Sequence, residues 1–548
     1  MSEAERREGG LTRKQLLGTG AGAAAAALLS RGLGVDTAFG APQGEGLNGK
    51  NVILFLTDQE RAIQHFPANW MRENLPGMRR LRRHGLSFET ACTAACMCSP
   101  SRSSLMTGYF PAQHGVKYTL ESEMSEEAYP QVNLPLPEQL PNLGTVMRAA
   151  GYDVVYKGKW HCAKPAGETD EPYDLERYGF SRWDPPDAGA NQSIPQAGGG
   201  YTNNDGRIIE SKGPYQESKE GALQYIEEVA GLGKRPFFLI ISLVNPHDVL
   251  FYPSRTFEES GYDTSWLAGD IEVPPTSEED LSTKPTVQEE FLKIFNLTGK
   301  PKKEAEKKAY LNFYGNLMRS SDNYLVEVLN KLEAKGLYED TLIIRTSDHG
   351  EMGLSHGGLR QKNFNFYEES LKVPLVYSNP KMFPRPVTSD ALVSHVDLLP
   401  TLASLADAPK AARRNWQGVD YSDIVLNPHR GKEPQDYIAF TYDDFQSGQH
   451  TGPYPKQPNH VRSIREKRWK LAKYVDIKTE VKEAKPVERP GPKPPQWEMY
   501  DLKTDPNEEI NLAFEGYERT PAQEAQFIRL KKKLERVEKT RLKPLAHA

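Results

Sequence analysis

Short runs of valine, isoleucine, leucine and phenylalanine alternate with longer stretches of helical apolar spacing through the first four hundred residues. Uniformly apolar runs of that length are strands buried on both faces, and the helical stretches between them supply the covering layers. The pattern therefore predicts an α/β fold, a large mostly parallel sheet sandwiched by helices, with strands at 51–57, 153–156, 237–243 and 341–347. Beyond about residue 418 the runs become shorter and alternate, as at 460–465 and 468–474, which predicts a smaller antiparallel sheet and a C-terminal helix. At 548 residues the chain exceeds the usual size of one core, so the expected organisation is a large domain over 48–418 and a small α+β subdomain over 419–548. The proline-rich stretch 485–495 is expected to be an extended exposed loop, and the polar stretch 270–307 an insertion in the large domain.

The polar residues that end the apolar runs add chemistry to this picture. Asp58 and Gln59 follow the first run, Lys159 and His161 the second, His247 the third, and Asp348 and His349 the fourth. Ligands of open parallel sheets bind beyond the carboxyl ends of the strands, so these groups are expected to meet in one crevice. Singly, an aspartate there caps the next helix and a histidine is a satisfied loop residue. Four strand ends together predict a site.

The segment Cys98-Ser99-Pro100-Ser101-Arg102 opens a helical pattern. Cys98 is thereby placed at a helix N-terminus, where free N–H groups favour an anion. Read from its own chemistry, Cys98 is a candidate thiol nucleophile with Arg102 as anion clamp. The other cysteines, Cys92, Cys96 and Cys162, are expected to be small buried hydrophobes, and no second pair at zinc-finger spacing follows them.

Composition narrows the class. With 69 basic and 74 acidic residues the net charge is -5, which leaves no broad positive field for nucleic acid, and the basic run 529–536 reads as a solvated helix face. Four cysteines are too few for a disulfide framework. At the N-terminus, Arg13-Lys14 precedes an apolar Ala/Gly-rich stretch of 14 residues, 16–29, with small residues at 38–41. This is the layout of a cleaved export signal over 1–41, and the stretch falls short of the ~20 residues that span a bilayer. The Arg-Lys pair resembles a twin-arginine signal with Lys14 in place of the second arginine, a general secretory signal being the alternative. The expected location is periplasmic or extracellular, with the export machinery as a partner.

The pattern Cys98-x-Pro100-Ser101-Arg102 followed by Leu105-x-Thr107-Gly108 resembles the signature of type I sulfatases, enzymes of alkaline-phosphatase-like fold. Matching elements recur in family order along the chain, among them Gly158-Lys159-Trp160-His161, Pro246-His247, Ser347-Asp348-His349-Gly350, Lys362 and Met499-Tyr500-Asp501. The resemblance implies that a maturase oxidises Cys98 to formylglycine. It also implies that Asp58, Asp348, His349 and an oxygen of residue 98, with Gln59 at the edge, hold a divalent cation, calcium first and magnesium or manganese as alternatives. Arg102 and Lys159 would stabilise the diol, Lys362 bind the sulfate, Asp348 accept the nucleophile's proton, His247 protonate the departing alcohol and His161 act as the second-step base. Gln59 and His349 are similar to the choline sulfatase and phosphonate monoester hydrolase branch. The substrate implied is a small-molecule or carbohydrate sulfate ester. A phosphonate or phosphate ester hydrolase, an inactive secreted binding protein and an unmodified cysteine hydrolase are the competing readings.

Overall fold

The sheet is built outward from β1 (Asn51–Thr57), in which Val52 to Leu56 have no exposed surface. The computed structural model describes residues 46–545, apart from 48, 121–133, 164–169, 190–192, 212–219, 230–231, 233–234, 296–298, 449–452 and 483–484. The export segment 1–41 lies outside the described residues. The remaining strands of the large sheet are β2 (Gly85–Cys92), β4 (Asp153–Gly158), β5 (Phe237–Ser242), β6 (Thr341–Ser347), β7 (Lys372–Val373), β8 (Leu375–Ser378) and β9 (Val387–Ser394), β3 (Ala95–Cys96) belonging to a second sheet. Their order is β4-β5-β1-β6-β8-β2-β7, with β9 also on β2. Strands β4, β5, β1 and β6 run parallel, and β8 runs antiparallel between β6 and β2.

Side chains alternate across the sheet and feed two cores. Val52, Leu54 and Leu56 join Phe238, Ile240, Leu342 and Ile344 on one face. Ile53 and Phe55 join Leu239, Ile241 and Ile343 on the other. The long helix Glu304–Ala334 closes the second face with Leu311, Tyr314, Leu317, Leu325, Val328 and Leu332, all buried. Each such leucine contributes about 1.5–3 kcal/mol, and truncating one to alanine costs about 2–5 kcal/mol. The strands are long and apolar because both faces are covered, and their polar ends fall where the sheet stops.

The smaller sheet contains β10 (Ile438–Tyr442), β11 (His460–Arg465), β12 (Trp469–Val475) and β15 (Gln496–Asp501), antiparallel in the order β15-β12-β11-β10. Its fifth strand is β3, which pairs parallel to β10 through Ala95 and Cys96. Leu530, Leu534 and Val537 of the C-terminal helix Pro521–Thr540 pack on Ala439, Ile464, Leu471 and Met499 of this sheet. Thr520 caps the helix by accepting the Gln523 N–H. The described residues belong to one compact unit, Gly44–Ala548.

One expectation is corrected by the structure and one is refined. The proline-rich stretch is an ordered strand over part of its length: β14 (Lys485–Pro490) pairs antiparallel with β13 (Ile477–Lys482) in a two-stranded ribbon, with Pro486 opposite Val481 and Pro490 opposite Ile477. The stretch 270–307 is a brace. Its helix Thr286–Phe295 sets Val287 and Phe291 against Phe364, Tyr474 and Tyr500, while the Gln288 amide donates to Glu498 at 2.8 Å and accepts from Tyr367 at 2.8 Å.

Candidate active site

The four strand ends converge with the start of the helix Cys98–Thr107. All ten residues of that helix are buried although six are serine, threonine or arginine, and Ser101 and Arg102 among them pair with the strand ends. Arg102 is the hub. Its Nε donates to Asp348 Oδ2 at 2.9 Å and its Nη2 to Asp58 Oδ2 at 3.0 Å. Its Nη1 donates to the Lys159 carbonyl at 2.9 Å and to Ser242 Oγ at 2.8 Å. The Lys159 ammonium lies 2.7 Å from Asp58 Oδ2. Asp58, Arg102, Lys159, Asp348 and His349 are all fully buried.

Cys98 faces this cluster, its sulfur 3.5 Å from Asp58 Oδ1 and 3.1 Å from His349 Nε2. The His349 Nδ1–H donates to the Gly350 carbonyl at 3.0 Å, so Nε2 is left bare and points 3.7 Å from an oxygen of both Asp58 and Asp348. The ligand atoms of Asp58, Cys98, Asp348 and His349 lie within 4.8 Å of one another. A divalent ion with bonds of about 2.0–2.6 Å holds opposite ligands about 4–5 Å apart, so the residues present fit one. Two carboxylates, an imidazole and the Cys98 sulfur make up the donor set, which suits a divalent ion.

Burial and charge set unequal proton affinities. Burial pushes Asp58 up, but Lys159, His247, Arg102 and His349 outweigh it and hold the carboxyl well below the usual range. Burial and the neighbouring Asp58 push Asp348 up to about 7. Burial, then Asp58, push the Cys98 thiol up to about 12, the opposite of what an activated thiolate requires. His349 is depressed by burial and by Lys362.

The remaining predicted residues stand around this centre. The His161 backbone N–H is held by Asp187 Oδ2 at 2.8 Å, and its Nε2–H donates to the Leu120 carbonyl at 2.8 Å. Its buried Nδ1 is left as a free acceptor. Burial, Lys159 and Arg102 keep the ring neutral. His247 follows β5 and is 6% exposed; burial and Lys159 depress it well below its ordinary value, with Asp58 opposing. Lys362 donates to Gln59 Oε1 at 2.7 Å. All ten predicted site residues thus fall at one end of the sheet, in or around one buried cluster.

Further polar residues take supporting roles. His114 bonds Ser104 Oγ at 3.0 Å, and His356 stacks on Tyr367 beside Glu279 and Glu369. Glu368 pairs with Arg465 and Lys470. His395 and Asp397 open the packed helix Leu398–Leu405. Cys92, Cys96 and Cys162 are buried free thiols. Trp183 is buried and donates to the Gly158 carbonyl at 2.8 Å, Trp266 packs on the second core, and Tyr201 is exposed. Sequence reasoning missed Asp187, whose carboxylate takes the N–H groups of both Trp160 and His161, and Glu351, which binds Gln59. Glu351 was adjacent to the Asp348-His349-Gly350 run, so its place was readable, but its partner was not.

A carboxylate pair, thiol and imidazole ringed by buried cations at the carboxyl edge of a mostly parallel sheet define a hydrolase of alkaline-phosphatase-like architecture. Within that class the chain belongs to the sulfatase family, whose family model, Sulfatase, matches residues 50–408. A second model, N-sulphoglucosamine sulphohydrolase, C-terminal, matches residues 356–540. The protein is a sulfuric ester hydrolase. It is 25% identical over 431 residues to an ulvan-active sulfatase of Formosa agariphila, covering 78% of this chain and 73% of that protein. The fold matches that of a 2-O GAG sulfatase with TM-score 0.62 and 20% identity, over 90% of this chain and 92% of the other. It equally matches a phosphonate monoester hydrolase from Silicibacter pomeroyi, with TM-score 0.61 and 19% identity over 91% and 96% of the two chains.

Proposed function

We propose that this sulfatase is exported and cleaves sulfate esters of a carbohydrate, with formylglycine made from Cys98 as nucleophile and calcium at Asp58, Gln59, Asp348, His349 and residue 98. The observation that carries the reading is the convergence of four ligand atoms within 4.8 Å beneath buried arginine and lysine. The carbohydrate substrate is supported by the relatives that act on ulvan and glycosaminoglycan. Export, through the twin-arginine-like segment 1–41, is supported by the sequence pattern alone.

A divalent ion held there supplies Lewis-acid polarisation of a sulfuryl oxygen. Hydrated formylglycine supplies a hydroxyl that attacks sulfur and a second that lets the sulfate be expelled without external water. The chain's own groups do the rest. Arg102 and Lys159 stabilise negative charge beside residue 98, and Lys362 neutralises the sulfate. Asp348 accepts the nucleophile's proton. His161, neutral with a bare Nδ1, is suited to be the second-step base. His247 gives its proton to the leaving alcohol; a bound sulfate anion beside it offsets Lys159 and raises its hold on that proton.

Mass spectrometry of the peptide containing residue 98 tests the nucleophile: an aldehyde or its hydrate supports the reading, and a free thiol in active enzyme sinks it. A panel of sulfated sugars, aryl sulfates, choline sulfate and phosphonate esters on aldehyde-bearing protein tests the substrate. A large advantage for a phosphonate ester overturns it.

A further inference from the structure

We propose that Glu351 is a positioning residue that locks the Gln59 amide with its oxygen toward the cation site, a role that rests on the reading of Asp58, Asp348 and His349 as metal ligands. Glu351 has no exposed surface. One of its oxygens, Oε2, accepts from Gln59 Nε2 at 2.6 Å. The other, Oε1, accepts from the Tyr310 hydroxyl at 2.7 Å, the Gln361 N–H at 2.9 Å and the Gly353 N–H at 3.2 Å. On the opposite side the Gln59 Oε1 accepts from the Lys362 ammonium at 2.7 Å. An ammonium only donates and a carboxylate only accepts, so the amide has one permitted orientation. Turned over, it would set NH2 against ammonium and oxygen against carboxylate, two mismatches in a dry site. The main chain of Gln59 is pinned as well: its N–H donates to Asp348 Oδ1 at 3.0 Å and its carbonyl accepts from the Tyr314 hydroxyl at 2.6 Å.

The lock makes an unusual prediction for Glu351→Gln. Two main-chain N–H donors and Tyr310 keep the new side-chain oxygen on their side, which turns its NH2 toward Gln59. Gln59 must then flip and present NH2 to the site. Adding Gln59→Glu removes the conflict, because a carboxylate has an oxygen at both ends. Calcium affinity of the full chain is measured by chelator competition and by the thermal shift on calcium addition, for wild type, E351Q, Q59E and the double variant. Loss of a group that orients a ligand typically weakens metal binding by about 10- to 100-fold, which is the effect expected for E351Q. The double variant regains wild-type affinity or better, whereas Q59E alone, with carboxylate facing carboxylate, binds no tighter than wild type. Additive effects, with Q59E alone tightening binding, are what simple charge gives and overturn the lock, as does an E351Q affinity within twofold of wild type. An E351Q that fails to fold beside a folded, calcium-binding double variant supports it; failure of both overturns it. A wild type that binds neither calcium nor another divalent ion overturns the metal-site reading itself, and this inference with it.

Discussion

Calcium affinity measured across pH tests the electrostatics of the site. In the ion-free protein burial and Asp58 push Asp348 up to about 7, so below that pH an arriving ion displaces a proton from it. Asp58 does not compete: burial raises it, but Lys159, His247 and Arg102 hold it ionised. Nor does His349, which burial and Lys362 keep neutral. One proton is therefore released per ion, and affinity falls about tenfold for each pH unit below 7 and is level above it. Stability follows with a defined sign. Between the ordinary carboxyl value of 3.8 and about 7 the folded chain keeps a proton that the unfolded chain has lost, so ion-free stability falls as pH rises through that window. A shift of roughly three units amounts to about 4 kcal/mol. An ion at a thousand times its Kd returns about 4 kcal/mol. The gain in Tm on adding a fixed calcium concentration should therefore grow from pH 5 to pH 7.5. Chelator competition and thermal melts in a buffer series measure both, and proton release is counted from binding heats in two buffers of different ionisation enthalpy. Affinity indifferent to pH between 5 and 7, or two protons released, refutes the assignment of a single protonated carboxyl.

Replacing Arg102 by Met leaves Asp58 and Asp348 without their shared guanidinium, a loss of about 3–5 kcal/mol that denaturant unfolding will show. The cost should shrink at pH 5, where Asp348 is protonated, and an equal loss at both pH values contradicts the pairing. His247→Gln should lower kcat about 10²- to 10⁴-fold on sugar sulfates, with a much smaller effect on an aryl sulfate whose phenol leaves unaided. Equal losses on both would remove His247 as the acid. Asp187→Ala removes the carboxylate that accepts from the Trp160 and His161 N–H groups, so kcat should fall by about a hundredfold with KM little changed; a rise in KM alone argues for a role in binding.

The main architecture was legible because buried parallel strands must be continuously apolar, and a polar residue that ends such a run has one place to go. Asp58, Lys159, His247 and Asp348 were therefore readable as a group before any distance was known. Partners across the chain were not. Glu351 meets Gln59 across 292 positions of sequence, and no local pattern encodes that contact. Prolines 486 and 490 pointed to an exposed loop, since composition does not show whether an extended segment finds a neighbour; Val481 and Ile477 supply it. The place of Trp183 depends on the Gly158 carbonyl, which only folding brings close.

Strand β3 gives the molecule a timetable as well as a shape. Cys96 lies two residues before Cys98, yet its ladder partner is Tyr442, in the smaller sheet, and Cys98 is 2% exposed once folding is complete. During synthesis the segment around residue 98 emerges long before the strand that seats it. Any protein that must handle the Cys98 sulfur meets it most easily in that interval, before the later strands arrive and the thiol is buried against Asp58 and His349.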